Sequence, residues 1–291
     1  MIKGSIVALV TPFDSYNKID FDEIDRLLDY HIENKTDGIL LLGTTAEAES
    51  LSDDEKVRLV KHVVCYLDGK IKVMVGLIAN VTEEVIRLSD LFKEIVFDSY
   101  LVIVPYYIKS NTSGLIKHFT KIADYVDKPI VLYNVPKRCG FGLDLDVVKI
   151  LSYHPNIIGI KEASGDINYQ SKIAAFCSDG FLLYCGDDFS ILGSLGVGAS
   201  GVISVIGNCF PKEVKIIIDS FKKNIDISRS TFFMILPLIN VIYLEVSPIC
   251  CKYLMYLMGF KTRKYRMPLD EPSLESKRLI EEVAYCFFEE E

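Results

Sequence analysis

Short apolar runs alternate with longer amphipathic stretches eight times before residue 224, and this repetition constrains the fold more than any other feature of the chain. The runs are rich in Ile, Val, Leu and Tyr. They are nearly continuous, as expected for strands of a parallel sheet that is buried on both faces. The stretches between them have the length and apolar spacing of helices. The runs cover residues 6–10, 38–42, 72–77, 100–104, 129–133, 157–161, 181–185 and 201–205.

Eight strand–helix units predict an α/β fold of the (β/α)8 TIM barrel type, which typically takes about 250 residues. An open, doubly wound sheet is the alternative, and it usually carries a glycine-rich phosphate loop after its first strand. Here the first strand runs into Thr11, Pro12 and Phe13, which favours the closed barrel. The barrel helices are predicted at residues 22–34, 53–67, 82–96, 113–125, 144–152, 167–177, 189–195 and 211–223.

The strand pattern stops after residue 223, and the rest of the chain has only helical spacing. We therefore expect a barrel domain at residues 1–224 and a C-terminal helical region at residues 225–291. This appendage is small for an independent core, so we expect it to pack on the barrel or on a neighbouring subunit. Its helices are predicted at residues 229–245, 249–258 and 274–288.

The charge balance argues against a nucleic-acid partner. The chain has 32 Lys and Arg against 40 Asp and Glu, a formal net charge of −8. Nucleic-acid binders normally carry a basic excess or a basic patch. The densest basic stretch, residues 261–266, is expected to be a solvated helix end or loop.

No stretch matches the roughly 20 largely apolar residues of a good transmembrane helix. The closest, residues 231–246, is interrupted by Pro237, Asn240 and Glu245. The N-terminus lacks a charged-then-apolar signal pattern. We therefore expect a cytoplasmic protein without a membrane partner.

The cysteines give no sign of a metal site. There are 8 of them, scattered without a CxxC pair. No zinc-type spacing of Cys and His is present either. We expect free thiols and no bound metal.

In a barrel of this type the active site lies at the C-terminal ends of the strands, and Lys161 ends the sixth run. An ammonium group that faces a barrel interior is costly, and desolvation lowers its pKa toward that of a neutral amine. A neutral amine can attack a ketone and form a Schiff base. The alternative is a lysine that reaches solvent or pairs with Glu162 or Asp187.

Other polar residues follow neighbouring strands and share this rim of the barrel. Tyr133 could relay protons between the amine and water. Thr44 and Thr45 could hold a carboxylate near a helix start, and Arg138 could hold a second carboxylate through two hydrogen bonds. Taken singly, each also fits a structural role as a core tyrosine, a helix cap or a surface ion pair. Together with Lys161 they indicate carbon–carbon bond chemistry on an α-keto acid.

At these residues the chain resembles the family of class I aldolase-type lyases that includes dihydrodipicolinate synthase and N-acetylneuraminate lyase. The resemblance covers nearly the whole chain, and the order and spacing of the motifs agree with the family. Residues 133–140 and the Thr44–Thr45 pair are more similar to the synthase branch. The matching segments are ALVTPF (8–13), GTTAE (43–47), VPYY (104–107), LYNVP (132–136), GIKEASGD (159–166), GDD (186–188) and GVIS (201–204).

The resemblance implies a mechanism. Lys161 would form a Schiff base with pyruvate, and Thr45 with Thr44 would hold the pyruvate carboxylate. Thr44, Tyr133 and Tyr107 would form a proton relay, with Tyr107 entering the site of the neighbouring subunit. The resemblance therefore also implies a homo-oligomer, either a dimer or a dimer of dimers.

A second substrate follows from the same resemblance. The enamine derived from pyruvate would attack the aldehyde of L-aspartate 4-semialdehyde, held by Arg138. The product would be 4-hydroxy-tetrahydrodipicolinate, in the diaminopimelate route to lysine. The carbonyl groups of Gly186 and Ile203 would line the site. No cofactor or metal would be needed, because the imine itself is the electron sink.

Two departures from the family pattern lie near these motifs. Ala46 stands where the family has glycine after the two threonines, and we expect the turn to tolerate its methyl group. Residues 247–250 replace an Asn-Pro-Ile-Pro pattern, and we expect them to lie away from the chemistry.

A feedback site for lysine is less well matched. Asn80, Glu84 and Tyr106 match positions where relatives bind lysine as an inhibitor. At two further positions lysine-sensitive relatives carry histidine, and this chain has Asp53 and Lys56. Because the ammonium group of Lys56 would repel that of a bound lysine, we expect weak or absent feedback inhibition.

Two other functions remain open. A sibling lyase would use the same Schiff base to cleave N-acetylneuraminate or a 2-keto-3-deoxy sugar acid. A catalytically dead relative would serve as a sensor or an assembly subunit. Arg138 favours the synthase, since a sugar substrate would need several hydroxyl-binding groups. The presence of a nucleophile, a relay and anion-binding residues argues against the inactive relative.

Overall fold

The computed structural model describes residues 1–289, in which eight parallel strands pair in chain order and close into a barrel. The predicted α/β TIM barrel is therefore confirmed. Nearly every strand residue is buried, because side chains fill the barrel and helices cover it. The strands are β1 (Gly4–Ala8), β2 (Gly38–Leu41), β3 (Lys72–Leu77), β4 (Ser99–Ile103), β5 (Ile130–Asn134), β6 (Ile157–Glu162), β7 (Leu182–Cys185) and β8 (Gly201–Ser204).

Local signals decide where several helices begin. At the start of α2 the Ser52 side chain accepts a hydrogen bond from the Glu55 amide, and the Glu55 carboxylate accepts one from the Ser52 amide. This is a capping box, which satisfies two amide groups that the helix would otherwise leave unpaired. The helices are α1 (Phe21–Glu33), α2 (Asp53–Leu67), α3 (Thr82–Asp90), α4 (Thr112–Tyr125), α5 (Pro136–Cys139), α6 (Leu145–Leu151), α7 (Ile167–Ala174), α8 (Ile191–Gly196), α9 (Pro211–Phe221), α10 (Ile225–Ile242), α11 (Ile249–Leu257) and α12 (Leu274–Glu289).

Two predicted helices differ from the structure by four residues or more at one end, and the helix predicted at residues 167–177 ends three residues early, at Ala174. The helix predicted at residues 82–96 ends at Asp90, after which turns carry apolar side chains of the same segment into the core. The helix predicted at residues 229–245 begins earlier, at Ile225. It does so because the Asn224 side chain accepts hydrogen bonds from two amide groups of the first turn.

Strand register brings the predicted site residues to one level. Tyr133 in β5 pairs with Lys161 in β6. Ile103 in β4 pairs with Tyr133, and Tyr184 in β7 pairs with Lys161. Because the strands are parallel, their C-terminal ends meet at one rim of the barrel, where the loops that follow them can share a cavity.

The C-terminal helices contact the barrel within the same chain. Helix α10 packs along α9 and α12, and Ser228 Oγ donates to the carbonyl of Ile217 at 2.7 Å. In α11, Lys252 Nζ lies 2.6 Å from Glu47 Oε1, and neither side chain is more than 1% exposed. Lys252 also donates to the carbonyl of Thr11 at 3.0 Å. Removing one partner of such a buried ion pair would be strongly destabilising.

Helix α10 is long and apolar enough to cross a membrane by length and composition, with a mean hydropathy of 1.5. No such segment was expected, because Pro237 and Asn240 interrupt the apolar run. A core helix of a soluble protein has the same length and composition, and α10 packs against α9 and α12. The helix is therefore only a weak indication of a membrane span.

Candidate active site

A cavity of about 460 Å³ opens at the C-terminal ends of the barrel strands. This volume lies within the range of pockets that take small molecules. Residues from the loops after β2, β5, β6 and β7 contribute to its wall, as the strand-end rule predicts. Six of the predicted catalytic and substrate-binding residues line it: Thr44, Thr45, Tyr133, Arg138, Lys161 and Gly186.

Lys161 lines this cavity at the end of β6, and its side chain is 5% exposed. Burial lowers the pKa of its amino group from 10.5 to about 8. The negative charge of Asp188 opposes this shift, whereas the positive charge of Arg138 adds to it. Lys161 Nζ lies 4.4 Å from the centre of the Tyr133 ring. The amine is thus buried, close to a phenol, and easier to deprotonate than an ordinary lysine.

The two carboxylates considered as partners of Lys161 are held by other groups. The Glu162 carboxylate accepts hydrogen bonds from Asn134 Nδ2 at 3.0 Å and from Ser164 Oγ at 2.9 Å. The Asp187 carboxylate accepts one from a serine hydroxyl at 2.8 Å. Neither is within ion-pair distance of Lys161 in the described chain. The alternative of a structural ion pair for Lys161 is therefore wrong.

Gly186 leaves space for the lysine side chain. A methyl group at this position would lie 2.9 Å from Cγ and from Cε of Lys161 and 2.9 Å from Cβ of Ala163. Such distances are below ordinary van der Waals contact, so a larger residue would push Lys161 out of place. The absence of a side chain at Gly186 is therefore part of the site's geometry.

Tyr133 and Thr44 form a hydroxyl pair beside the amine. Tyr133 is 5% exposed. Burial raises its pKa, while a hydrogen bond with the Thr44 side chain and the charge of Arg138 lower it. A buried phenol that is hydrogen-bonded to a second hydroxyl can pass a proton to or from a neighbouring group.

The threonine turn after β2 accommodates Ala46. The left-handed position of this turn is Glu47, with φ 54, and Ala46 belongs to a short 3-10 helix. Thr11 Oγ1 donates to the carbonyl of Ala46 at 2.8 Å. The methyl group of Ala46 therefore sits on backbone that any residue can adopt. Thr45, 5% exposed, lies in the same short helix.

Arg138 lies on α5, a four-residue helix that the sequence analysis did not predict. Its Nη2 donates to the carbonyl of Ser247 at 3.0 Å. Ser247 belongs to the segment that was expected to lie away from the chemistry, and this expectation is wrong. The C-terminal region contributes Tyr243, Glu245, Val246 and Ser247 to the cavity wall. The departure from the family pattern at residues 247–250 was the one sequence signal for this contribution. It was expected to lie away from the cavity, whereas Ser247 lines it.

Two predicted site residues do not line the cavity of their own chain. Tyr107 is 89% exposed, and its φ of 68 is uncommon for a bulky residue. Ile203 is 1% exposed and lies within β8, level with Ile6 of β1. Within one chain the structure therefore brings together two members of the predicted relay, Thr44 and Tyr133, without Tyr107.

The predicted regulatory residues lie outside this cavity, near the start of α3. Asn80 Nδ2 donates to the carbonyl of Tyr106 at 3.2 Å. The Tyr106 hydroxyl donates to Glu49 Oε1 at 3.3 Å. Burial raises the pKa of Tyr106 to about 12.

The carboxylates of this regulatory region are already paired with a cation of the same chain. Arg87 donates to Glu84 at 2.7 and 2.9 Å and to Asp53 at 2.6 Å. The hydrogen bond from Arg87 holds the pKa of Glu84 below its usual range, and the charge of Lys56 acts in the same direction. Both carboxylates that could attract a ligand's ammonium group therefore already face Arg87.

The polar residues elsewhere do not suggest a metal centre. In residues 1–289 no group of three or more His, Cys, Asp or Glu side chains is arranged to hold a metal ion. The cysteines are free thiols, as the sequence analysis predicted.

Comparisons with known proteins agree with the fold and with the motifs. The dihydrodipicolinate synthetase family matches residues 1–284. The chain is 38% identical to a protein named 4-hydroxy-tetrahydrodipicolinate synthase from Caldicellulosiruptor saccharolyticus, over 97% of this chain and 96% of the relative. It is 40% identical to one of the same name from Pelobacter propionicus, over 92% and 93%.

The fold is also similar to a solved structure of dihydrodipicolinate synthase from Acinetobacter baumannii, described as chloride inhibited and complexed with pyruvate. The TM-score is 0.96 at 32% identity, and 99% of each chain is covered. The prediction of a lyase of this type is therefore confirmed. The chain belongs to the dihydrodipicolinate synthetase family.

Proposed function

We propose that the chain is a Schiff-base lyase that condenses pyruvate with L-aspartate 4-semialdehyde to 4-hydroxy-tetrahydrodipicolinate. The observation that carries this proposal is the buried amine of Lys161, whose pKa is about 8. Near neutrality roughly a tenth of such a group is uncharged, against well under one in a thousand for an ordinary lysine. The uncharged amine is the nucleophile that the reaction needs.

The covalent steps begin at this nitrogen. Lys161 Nζ bonds to C2 of pyruvate, and the keto oxygen leaves as water while the nitrogen becomes an iminium. The iminium acidifies the methyl group, and loss of one methyl proton gives an enamine. C3 of the enamine bonds to the aldehyde carbon of the second substrate, whose oxygen takes up a proton. The amino group of that substrate then attacks the iminium carbon, closes the ring and releases Lys161.

Five side chains serve these steps. Thr44, Tyr133 and Tyr107 carry the protons, with Tyr107 contributed by a neighbouring subunit. Thr44 and Thr45 hold the pyruvate carboxylate, and Arg138 holds the carboxylate of the semialdehyde. The hydrogen bond between Tyr133 and Thr44 supports the relay. The bond from Arg138 to a backbone carbonyl supports its role, since it limits the orientations of the guanidinium group.

We assign residues 1–224 to the catalytic barrel and residues 225–291 to the C-terminal helical region. The backbone carbonyl of Gly186 faces the substrates from the barrel side, since Gly186 lines the cavity and Ile203 does not. The C-terminal region completes the cavity wall, which supports a site built from both parts of the chain.

The active form is a homo-oligomer, a dimer or a dimer of dimers, in the cytoplasm. The exposure of Tyr107 and its left-handed backbone support a role outside its own chain. Mixing Lys161→Ala chains with Tyr107→Phe chains tests this arrangement. In a mixed dimer one site has both Lys161 and Tyr107, so activity should reappear. If the mixture stays as inactive as its parents under conditions of subunit exchange, Tyr107 does not act across subunits.

Borohydride reduction in the presence of pyruvate, followed by peptide mass mapping, tests the nucleophile. We expect a stable adduct on Lys161. Lys252 is an internal control, because it is also buried but is paired with Glu47. Absence of an adduct on Lys161 would overturn the proposal. An adduct without turnover of L-aspartate 4-semialdehyde would identify a sibling lyase instead.

Feedback inhibition by lysine is weak or absent in this account. The pairing of Glu84 and Asp53 with Arg87 supports this view, because an incoming ammonium group would have to displace a bound guanidinium group. Lys56 adds a further positive charge close to these carboxylates.

A further inference from the structure

The mechanism above leaves one buried carboxylate near the lysine without a role. Asp188 follows β7 and is 1% exposed. It accepts four hydrogen bonds, all from uncharged donors: Ser204 Oγ at 2.7 Å, Val205 N at 3.0 Å, Ile206 N at 2.9 Å and the Tyr243 hydroxyl at 2.9 Å. In residues 1–289 no ion pair joins Asp188 to a lysine or arginine within 4 Å.

The pattern of donors indicates that Asp188 is ionised. Ser204 Oγ already accepts a hydrogen bond from the Gly207 amide at 2.9 Å, so its own proton goes to Asp188 Oδ1. Oδ2 receives three donors. A proton on either carboxylate oxygen would displace one of these donors. Burial raises the pKa of Asp188, and these hydrogen bonds oppose that shift.

Asp188 lies in the part of the fold that packs against Lys161, because it follows Gly186 by two residues and a methyl group at Gly186 would be 2.9 Å from Lys161 Cε. The negative charge of Asp188 acts on the amine from this side. It raises the pKa of the Lys161 amine, against the effect of burial. A fixed anion in a site of low dielectric constant interacts strongly with a cation. During the reaction the Lys161 nitrogen is cationic whenever it is an iminium, so such an anion stabilises the intermediate.

Few other charged groups face this pair. Lys161 faces Cys185 from β7, Arg138 from α5 and the Tyr133 ring from β5, in addition to Asp188. The other titratable groups that interact with Asp188 are the Cys185 and Cys209 thiols and the Tyr243 hydroxyl. Burial raises the pKa of both thiols, so they stay neutral near pH 7. Asp188 is therefore the anion among these groups.

We propose that Asp188 is the counter-charge of the Lys161 iminium, and that Tyr243 of the C-terminal region holds it in place. The inference rests on the proposed function. Tyr243 lines the cavity and donates to Asp188, and its ring lies 5.4 Å from that of Phe189. Asp188 is a positioning residue, since it is not among the residues that line the cavity.

The test compares the wild-type chain with Asp188→Asn. Adduct formation with pyruvate is followed by borohydride trapping as a function of pH, together with the fraction trapped at saturating pyruvate. Removing the anion lowers the pKa of the free Lys161 amine. The rise of the adduct-formation rate with pH, called the acid limb of the pH profile, should therefore move to lower pH. The iminium loses its counter-charge at the same time, so the equilibrium constant for adduct formation should fall roughly 10-fold or more. A purely structural carboxylate would give no such pair of opposite effects.

Tyr243→Phe provides a second variant in case Asp188→Asn does not fold. Loss of one hydrogen bond leaves the Asp188 charge less screened, so the acid limb should move slightly to higher pH. Tyr265→Phe is the matched control, because it removes a hydroxyl of the same region that donates only to a backbone carbonyl, at 2.9 Å. This control should leave the limb in place.

The inference would be overturned if Asp188→Asn had the same acid limb and the same adduct equilibrium constant as the wild-type chain. It would also be overturned if Tyr243→Phe had the wild-type acid limb. Failure of the wild-type chain itself to form an adduct would instead overturn the proposed function. The two failures are therefore distinguishable.

Discussion

Two polar clusters have opposite electrostatic character. The first surrounds Lys161, a residue that is 5% exposed and whose amine has no carboxylate in contact. The second joins Glu84, Arg87 and Asp53, whose side chains are 44 to 47% exposed and fully paired. Burial without a close partner makes the lysine reactive. Exposure and pairing leave the second cluster with little free charge to offer a ligand.

The Arg138→Ala variant tests whether Lys161 and Arg138 act on different substrates. Arg138→Ala should slow the overall reaction roughly 100-fold, since loss of a charged partner of a carboxylate costs about 2–5 kcal/mol. Adduct formation with pyruvate should change much less. Its pH dependence should move only slightly to higher pH, because burial and not the charge of Arg138 is the main cause of the low pKa of Lys161. Steady-state kinetics with both substrates and borohydride trapping would measure the two steps. Equal loss of both would contradict the role assigned to Arg138.

The pH dependence of the wild-type chain measures the effect of burial directly. The pKa of Lys161 is lowered to about 8, and only the neutral amine attacks pyruvate. The rate of adduct formation should therefore rise roughly tenfold per pH unit below 8 and level off above it. A rate that keeps rising toward pH 10 would show an ordinary lysine and would remove the contrast between the clusters.

Gly186 tests how closely the lysine is packed. Gly186→Ala would place a methyl group 2.9 Å from two carbons of Lys161, so adduct formation should slow roughly fivefold as the side chain shifts. Gly196→Ala is a matched control, since the nearest atom to its new methyl group is 3.9 Å away. Stopped-flow measurement of imine formation would separate the two variants. Equal rates for both would show that the space at Gly186 does not matter.

The cluster of Glu84, Arg87 and Asp53 should have the smallest effect on activity. L-lysine in the millimolar range should leave turnover unchanged. Arg87→Ala frees Glu84 and Asp53, and it should create at most weak inhibition because Lys56 remains. Dose–response curves for the two chains would measure this. Strong inhibition of the wild-type chain by sub-millimolar L-lysine would contradict the account.

The barrel and the position of Lys161 could be predicted because their signals are local. Continuous apolar runs mark buried parallel strands, and the strand-end rule then selects Lys161, Tyr133 and Thr44 without knowledge of distant contacts. Burial of Lys161 follows from the apolar run that precedes it. These features depend on residues that are close in sequence or repeat at regular intervals.

The contacts of the C-terminal region could not be predicted in the same way. Arg138 and Ser247 are 109 residues apart in the chain, and Tyr243 and Asp188 are 55 apart. Both contacts depend on how α10 packs on the barrel, which no short motif encodes. The same holds for the cation that pairs with Glu84, because the motif positions gave no reason to consider Arg87.

The central claim is that the neutral form of the Lys161 amine attacks pyruvate inside the barrel cavity, and a crystal soaked in pyruvate tests it most directly. The account predicts continuous electron density from Lys161 Nζ to C2 of the bound acid, with the carboxylate against Thr44 and Thr45. An unmodified Lys161 with pyruvate bound elsewhere would contradict it.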